Sequence, residues 1–369
     1  MDFTPSSAQQ MLVSTAREFL RRHCPPERVQ AWALDERGFD EKLWCQMAEL
    51  GWPGLLVSPE LGGSGGSMLD VVLLVEQMGY ACLPGPFITS AVVVTSLLAA
   101  AANADQPKRL LPALASGELI ATLALTEENG SGDPDDVALA CRVPGRLTGR
   151  KLFVKDAHVA DVLAVVVRES ESLGLVLMPA DRRGISRIQL AAISGEKMFE
   201  VVFDDVEVTA ADRLGAAGHG GALLTPALEA GALARTAEMV GGAQRILDLA
   251  VEHARTRVQG GRPIGGYQAI QHACADLVRD VDTARGLLYL AAWKAAEGLP
   301  AASDVAMAKA HAAEACLAVA RRGHQIFGAI GYCEEHPLHL IHKRIQGAAL
   351  DFGDAQHHLE TVARSIGLR

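Results

Sequence analysis

Aromatic side chains are scarce in this chain: 5% of its 369 residues, against 49% hydrophobic positions and 36 glycines. A core with few rings must be filled by small aliphatic groups at close spacing, which suits tightly packed helices. Positive charge is also short. Lys and Arg number 34 against 44 Asp and Glu, a formal net charge of −10. With no long Lys/Arg run, that balance excludes nucleic acid as the main partner, although local basic groups can still hold an anionic ligand. The seven cysteines (Cys24, Cys45, Cys82, Cys141, Cys274, Cys316, Cys333) are dispersed, with no Cys-x-x-Cys pair. They read as reduced thiols rather than a disulfide framework. No apolar run reaches the roughly 18 residues of a membrane-spanning helix; residues 91–102 come nearest, and Thr95 and Ser96 interrupt them. The opening Met1-Asp2-Phe3-Thr4-Pro5 has neither the basic nor the apolar region of a secretory signal. These absences predict a soluble, cytoplasmic protein.

What is present has a three-part order. Residues 1–117 read as a helical domain, in which Leu12, Ala16, Phe19 and Leu20 share a face and Pro25-Pro26 stop the first helix. Further helices are predicted over 43–50 and 70–80, with a turn-rich loop at 55–66 between them. Near Gly117 the pattern changes to short runs rich in β-branched residues, at 120–125, 137–142, 147–154, 162–167, 173–178, 199–203 and 206–208. They predict a mostly antiparallel β domain over 118–219. From Gly220 to residue 369 the helical period returns. Leu277, Val281, Ala284, Leu288 and Ala291 are spaced by three or four, and Gly298 with Pro300 ends their helix. Long helices with short connections predict a four-helix bundle. The fold class is therefore α+β and multidomain: an N-terminal helical domain, a middle antiparallel β domain and a C-terminal four-helix bundle.

Segments spread in order over nearly the whole chain resemble the acyl-CoA dehydrogenase superfamily. Gly51-Trp52 through Leu61-Gly62-Gly63 looks like its Gly-rich "PEEYGG" loop, and Leu125-Thr126-Glu127 with Gly130-Ser131-Gly132-Asp133 like its "TEP…GSD" segment. Gly149-Arg150-Lys151-Leu152-Phe153-Val154 resembles "G-x-K-x-W-I", and Phe203-Asp204-Asp205-Val206 resembles "F-x-x-V". Arg257-Val258-Gln259-Gly260-Gly261-Arg262-Pro263-Ile264 and then Gln268 resemble "R-x-Q-F-G-x-P-I…Q"; Gln325 through Gly331-Tyr332 resembles "Q-x-x-G-G-x-G-Y". The C-terminal sequence and residues 83–87 look most like members acting on steroid or other bulky acyl-CoA thioesters, some of which pair two unlike subunits.

The resemblance implies FAD as cofactor and an acyl-CoA thioester as substrate. The implied reaction is α,β-desaturation to a 2-enoyl-CoA: a carboxylate takes the α-proton and the β-hydrogen leaves as hydride to the flavin. It also implies a homodimer, homotetramer or heterotetramer with a related subunit, and an electron-transfer acceptor protein. Arg257 would contact the cofactor pyrophosphate across a subunit interface, as guanidinium suits a diphosphate; by itself it is a surface arginine at a helix end. Gln268 and Gln325 would hydrogen-bond the flavin or its adenylate half, and otherwise are ordinary polar side chains. Gly328 and Gly331 would let backbone approach the cofactor, or simply form a helix-end turn. Thr126 would touch the isoalloxazine edge, or serve as a strand residue. Phe153 stands where most members carry a flavin-packing Trp.

The pattern breaks at the base. The family's "Y-E-G-T" segment reads Asp351-Phe352-Gly353-Asp354 here, so Phe352 holds the glutamate position. Members that carry the base on the first bundle helix have it where Gly231 stands. Glu238 is then the candidate catalytic base, because seven residues return it to the Gly231 face about 10 Å along the helix. Glu229 points to the opposite side. Glu238 is also spaced to pair with Arg235 at i−3. Two further readings stand beside it: a catalytically incomplete partner subunit of a hetero-oligomeric dehydrogenase, and a member with other CoA-thioester chemistry, such as elimination. Phe352 keeps the backbone N–H that in the family binds the thioester carbonyl, so it is a candidate substrate-binding residue. Lys155 and Gly260 depart from the family's usual Thr or Ser and Phe. Ala230, Gly231, Ala232 and Ala234 either leave room for a wide substrate or serve close helix packing. His336, His339 and His342 are spaced by three, but no Cys or Glu completes a metal set, and a solvated or cofactor-adjacent helix is the expectation.

Overall fold

The computed structural model describes residues 5–101 and 105–368. In the first part, α1 (Ser7–His23) is started by a reciprocal capping box between Ser6 and Gln9. Pro25-Pro26 do end it, but Pro26 also occupies the first position of α2 (Pro26–Leu34), where its missing N–H costs nothing. Read only as a stop, the pair hides that second helix. Next come α3 (Glu41–Glu49), capped by Asp40, and α4 (Met68–Tyr80), capped by Ser67 with Asp70. The apolar run beyond them is a buried π-helical segment, Phe87–Val94, continuing into α5 (Thr95–Ala100). Then follows α6 (Asp105–Ala115).

The middle part holds β1 (Ala121–Ala124), β2 (Gly145–Lys155), β3 (Val162–Glu169), β4 (Ser172–Pro179), β5 (Ile185–Leu190) and β6 (Met198–Val208). They form two three-stranded sheets, ordered β1-β3-β4 and β2-β6-β5. Every pairing is antiparallel except β1 with β3. Residues 137–142 are not a strand. They make a single bridge at Ala140 and Arg168, and the Arg168 guanidinium holds the carbonyls of Val137 (2.9 Å) and Asp135 (2.7 Å) instead. Residues 206–208 belong to β6 rather than to a strand of their own. Leu147, Val165, Val176, Val201 and Phe203 fill a separate core for this part.

The last part begins with α7 (Gly220–Thr256), 37 residues long and so about 55 Å. A short hairpin, β7 (Val258–Gln259) and β8 (Arg262–Pro263), leads to α8 (Gln268–Ala296). Then come α9 (Ala302–Phe327), α10 (Leu338–Leu350) and α11 (Ala355–Ser365). Helices α7 to α10 pack into the bundle and α11 lies against α9. The α8 stripe of Leu277, Val281, Ala284, Leu288 and Ala291 is wholly buried. Against α4, α7 comes into backbone contact. A Cβ on Gly79 would stand 2.2 Å from the Glu238 carbonyl oxygen, and one on Gly241 would stand 1.9 Å from that of Glu76. Among the described residues no helix is long and apolar enough to cross a membrane.

Candidate active site

Helix α10 ends at Leu350, and the turn that follows is unusually well tied. Phe352 sits at φ +54°, a region non-glycine residues rarely adopt and keep only when their surroundings impose it. Lys309, buried on α9, donates to the carbonyls of Ala349 (2.9 Å) and Gly353 (2.8 Å). The Nε2 of His358 lies 2.9 Å from the Phe352 carbonyl oxygen. Burial pulls the Lys309 ammonium down to about 8 and the His358 ring to about 4, so His358 is a neutral imidazole near pH 7. The Phe352 ring lies over Gly231 of α7, where an added Cβ would come within 2.8 Å of the ring carbon Cε1. The two positions at which the sequence comparison looked for a base therefore meet at one point. That point carries an aromatic ring and no carboxylate. The ring also takes the room left by Gly231. Among the described residues the Phe352 N–H has no acceptor.

One helical turn beyond Gly231 a buried charge network begins. Arg235, 3% exposed, sends Nη2 to Glu196 (2.9 Å), Nη1 to Glu238 (2.6 Å) and Nε towards Asp351 (3.0 Å). Lys155, at the end of β2, meets Glu196 at 2.8 Å and also contacts Asp351. Arg344 on α10 lies 3.3 Å from Glu196 and 3.9 Å from Glu238. Burial opposes ionisation of Glu196, yet Arg235, Lys155 and Arg344 together hold it well below the usual carboxylate range. Close by, burial raises Asp156 to about 6, with Thr89 donating to it at 2.9 Å. Glu238 faces along α7 as its spacing from Gly231 requires, and its carboxylate is engaged with Arg235. Sequence reasoning singled out Glu238, Arg235 and Lys155 but missed Glu196, Asp351 and Arg344. They are remote in the chain, and only the cation inside the Ala/Gly-rich stretch of α7 hints that carboxylates must gather there.

On the β side, Thr126 follows β1, and its carbonyl accepts from the Leu152 N–H at 2.8 Å, which brings it beside Phe153. The register of β2 against β6 slips between Lys151 and Val154, and Phe153 within that bulge has φ +54°. The bulge turns the Phe153 ring outward, 50% exposed. An exposed aromatic face beside a half-buried Thr suits a flat ring system.

A second group lies at the far end of the bundle. Arg257 caps α7 and accepts at its carbonyl from Ile264 across the hairpin (2.8 Å); Gln268 opens α8 and Gln325 lies near the end of α9. All three side chains are exposed, and among the described residues none makes a hydrogen bond or ion pair. The His253 and Phe327 rings, 4.5 Å apart, join the end of α7 to the end of α9. Gly328 has φ +66° and ψ −141°, a conformation essentially reserved for glycine. Gly331 is buried, and its Cβ would come 3.0 Å from that of Phe327, so the local packing already demands glycine. A cation and two amides with donors to spare fit an anionic dinucleotide. No hydrogen bond or ion pair joins this group to Thr126, Phe153 or Phe352 among the described residues. The nearby histidines pack as rings: His324 stacks on Tyr332 (4.9 Å) and lies 4.9 Å from His342, while His336 meets Phe327 at 4.4 Å.

Comparison with known proteins agrees with this geometry. Residues 6–118 match the acyl-CoA dehydrogenase N-terminal domain and residues 218–367 its C-terminal domain. The acyl-CoA dehydrogenase IpdE2 of Mycobacterium tuberculosis is 31% identical over 94% of this chain and 93% of its own. A chain of the ChsE4-ChsE5 complex from the same organism superimposes with a TM-score of 0.90 at 30% identity, covering 100% of both chains. PigA with FAD and proline gives a TM-score of 0.89 at 25% identity, again covering 100% of both. The chain belongs to the acyl-CoA dehydrogenase family.

Proposed function

We propose that this chain is an FAD-dependent acyl-CoA dehydrogenase subunit whose active site is completed by a base from a related partner chain. The observation that carries this reading is the contact of Phe352 with Gly231: the two base positions coincide, and neither offers a proton acceptor. Glu238 is the one alternative on the same face, and to take a proton it must first leave Arg235, a cation with no water to replace its lost partner. The name of the ChsE4-ChsE5 complex records that a chain of this fold assembles with a differently named one.

FAD is supported by the donors at the bundle end and by PigA, a relative in fold that binds it. When bound, it supplies the hydride acceptor for α,β-desaturation. In this reading Arg257 holds the pyrophosphate of a cofactor shared between protomers, Gln268 and Gln325 hydrogen-bond the cofactor, and Gly328 leaves room for backbone approach. Thr126 and Phe153 face the flat ring system. The Phe352 N–H, left without an acceptor, binds the thioester carbonyl oxygen and polarises it. The substrate is an acyl-CoA thioester, of the bulky class that the resemblance suggests, and reducing equivalents pass to an electron-transfer protein.

The test is expression alone and with a related dehydrogenase subunit, followed by flavin absorbance and its bleaching by a panel of acyl-CoA thioesters. The lone chain should not bleach flavin, whereas the co-purified complex should. In that complex, Arg257→Gln should release flavin while leaving the subunits associated. Bleaching by the lone chain, abolished by Glu238→Gln with flavin retained, would instead make Glu238 the base of a self-sufficient enzyme.

A further inference from the structure

We propose that a cleft between the N-terminal helices and the bundle, separate from the site above, binds an amphipathic anion with an apolar body and one carboxylate-like end. The cleft has a volume of about 950 Å³ and runs between α1, α4, α7, α8 and α10, large enough for a lipid-sized ligand. It meets α7 at Gly241, ten residues past Gly231, which is about 15 Å along the helix. Glu238 and Arg344 of the buried charge network lie between the two places, so the cleft is not an extension of the space around Phe352.

Its wall is built in two halves. Leu20, Val29, Leu73, Leu340 and Ile341 make an apolar floor. The charged lining is Arg17, Arg21, Arg245 and Arg285 against Glu76 and Asp248. Four guanidiniums facing two carboxylates is a local reversal in a chain of net charge −10. Both acids are already engaged. Glu76 accepts from Arg285 (2.9 Å) and Tyr289 (2.6 Å); Asp248 accepts from Tyr80 (2.8 Å) and Gln244 (2.8 Å). The arginines are not all so placed. Arg17 uses only Nε, towards Gln77 (3.2 Å), and Arg245 uses only Nη1, towards the Tyr80 hydroxyl (3.2 Å). Among the described residues their remaining N–H groups have no acceptor. Spare guanidinium donors above an apolar floor are complementary to an amphipathic anion.

Isothermal titration of the full-length protein with decanoate, decanoyl-CoA and 1-decanol tests this. Decanoate should bind and raise the melting temperature, and 1-decanol should bind at least about tenfold more weakly, since it lacks the charge that the arginines recognise. The double variant Arg17→Gln/Arg245→Gln should weaken decanoate by a similar factor and leave 1-decanol unchanged. Leu340→Trp, which fills the floor, should abolish binding of both. If that variant melts early, Val13→Trp on the α1 side of the cleft replaces it. The proposal fails if decanoate does not bind, if its affinity ignores the arginines, or if only the CoA thioester binds.

Discussion

At the scale of single residues, the site is defined by a ring and the glycine under it. Because the Phe352 ring already touches the space of a Gly231 side chain, Gly231→Ala should destabilise the protein by about 1–3 kcal/mol through overpacking. In Gly231→Ala/Phe352→Ala the clash disappears, so the two costs should combine non-additively in urea denaturation. Arg235 has the opposite character. Arg235→Met would strand Glu196, Glu238 and Asp351 around an apolar side chain, and the expected loss is about 3–5 kcal/mol at neutral pH. A midpoint shift near zero would mean that the carboxylates repair the network with Lys155 and Arg344 alone. The loss of a glutamate at position 352 could be read from the sequence, because a motif preserves order. What took its place spatially could not, since the Gly231 contact spans more than a hundred residues of chain.

At the scale of elements, two features carry testable weight. The first is the histidine cluster at the ends of α7, α9 and α10. Burial lowers the proton affinity of His253, His324, His336 and His342 relative to the ordinary value of 6.5. The unfolded chain therefore takes up more protons as pH falls through about 6.5, and folding loses stability in that window. The melting temperature should drop between pH 7.5 and 5.5, above the range in which ordinary carboxylates titrate. A flat profile there would show that the rings are solvated. The second is the seam of α4 with α7. Gly241→Ala would push a Cβ into the Glu76 carbonyl, a backbone atom that cannot swing aside. The expected outcome is an insoluble or grossly destabilised protein, whereas Gly286→Ala, with nothing within 4 Å of its Cβ, should be stabilising by up to about 1 kcal/mol. Elements with strong period were legible in the sequence, as the Leu277–Ala291 stripe shows. Those that failed did so for local reasons: Pro26 reads as a stop although it starts α2, and residues 137–142 have strand-like composition while Arg168 takes up their carbonyls.

At the scale of the whole molecule, the residues assigned to cofactor binding fall into two groups that no contact joins within one protomer. Arg257, Gln268 and Gln325 lie at a bundle end, and Phe153 with Thr126 lies on the β side. If a neighbouring protomer closes the gap, then Arg257→Gln mixed with an intact partner should affect only those sites to which the variant contributes its bundle end. Flavin occupancy per complex, measured by absorbance, should then fall by a discrete fraction rather than to zero. A uniform loss would place both groups around one intrachain site.

The glycine seam has a mechanical meaning too. With Gly79 and Gly241 in backbone contact across it, the N-terminal helices cannot pivot on the bundle without prising apart two helices that have no side chains to roll on. Breathing that admits or releases a large molecule must therefore come from the sheets, which have a core of their own, while the helical halves travel as a single rigid block.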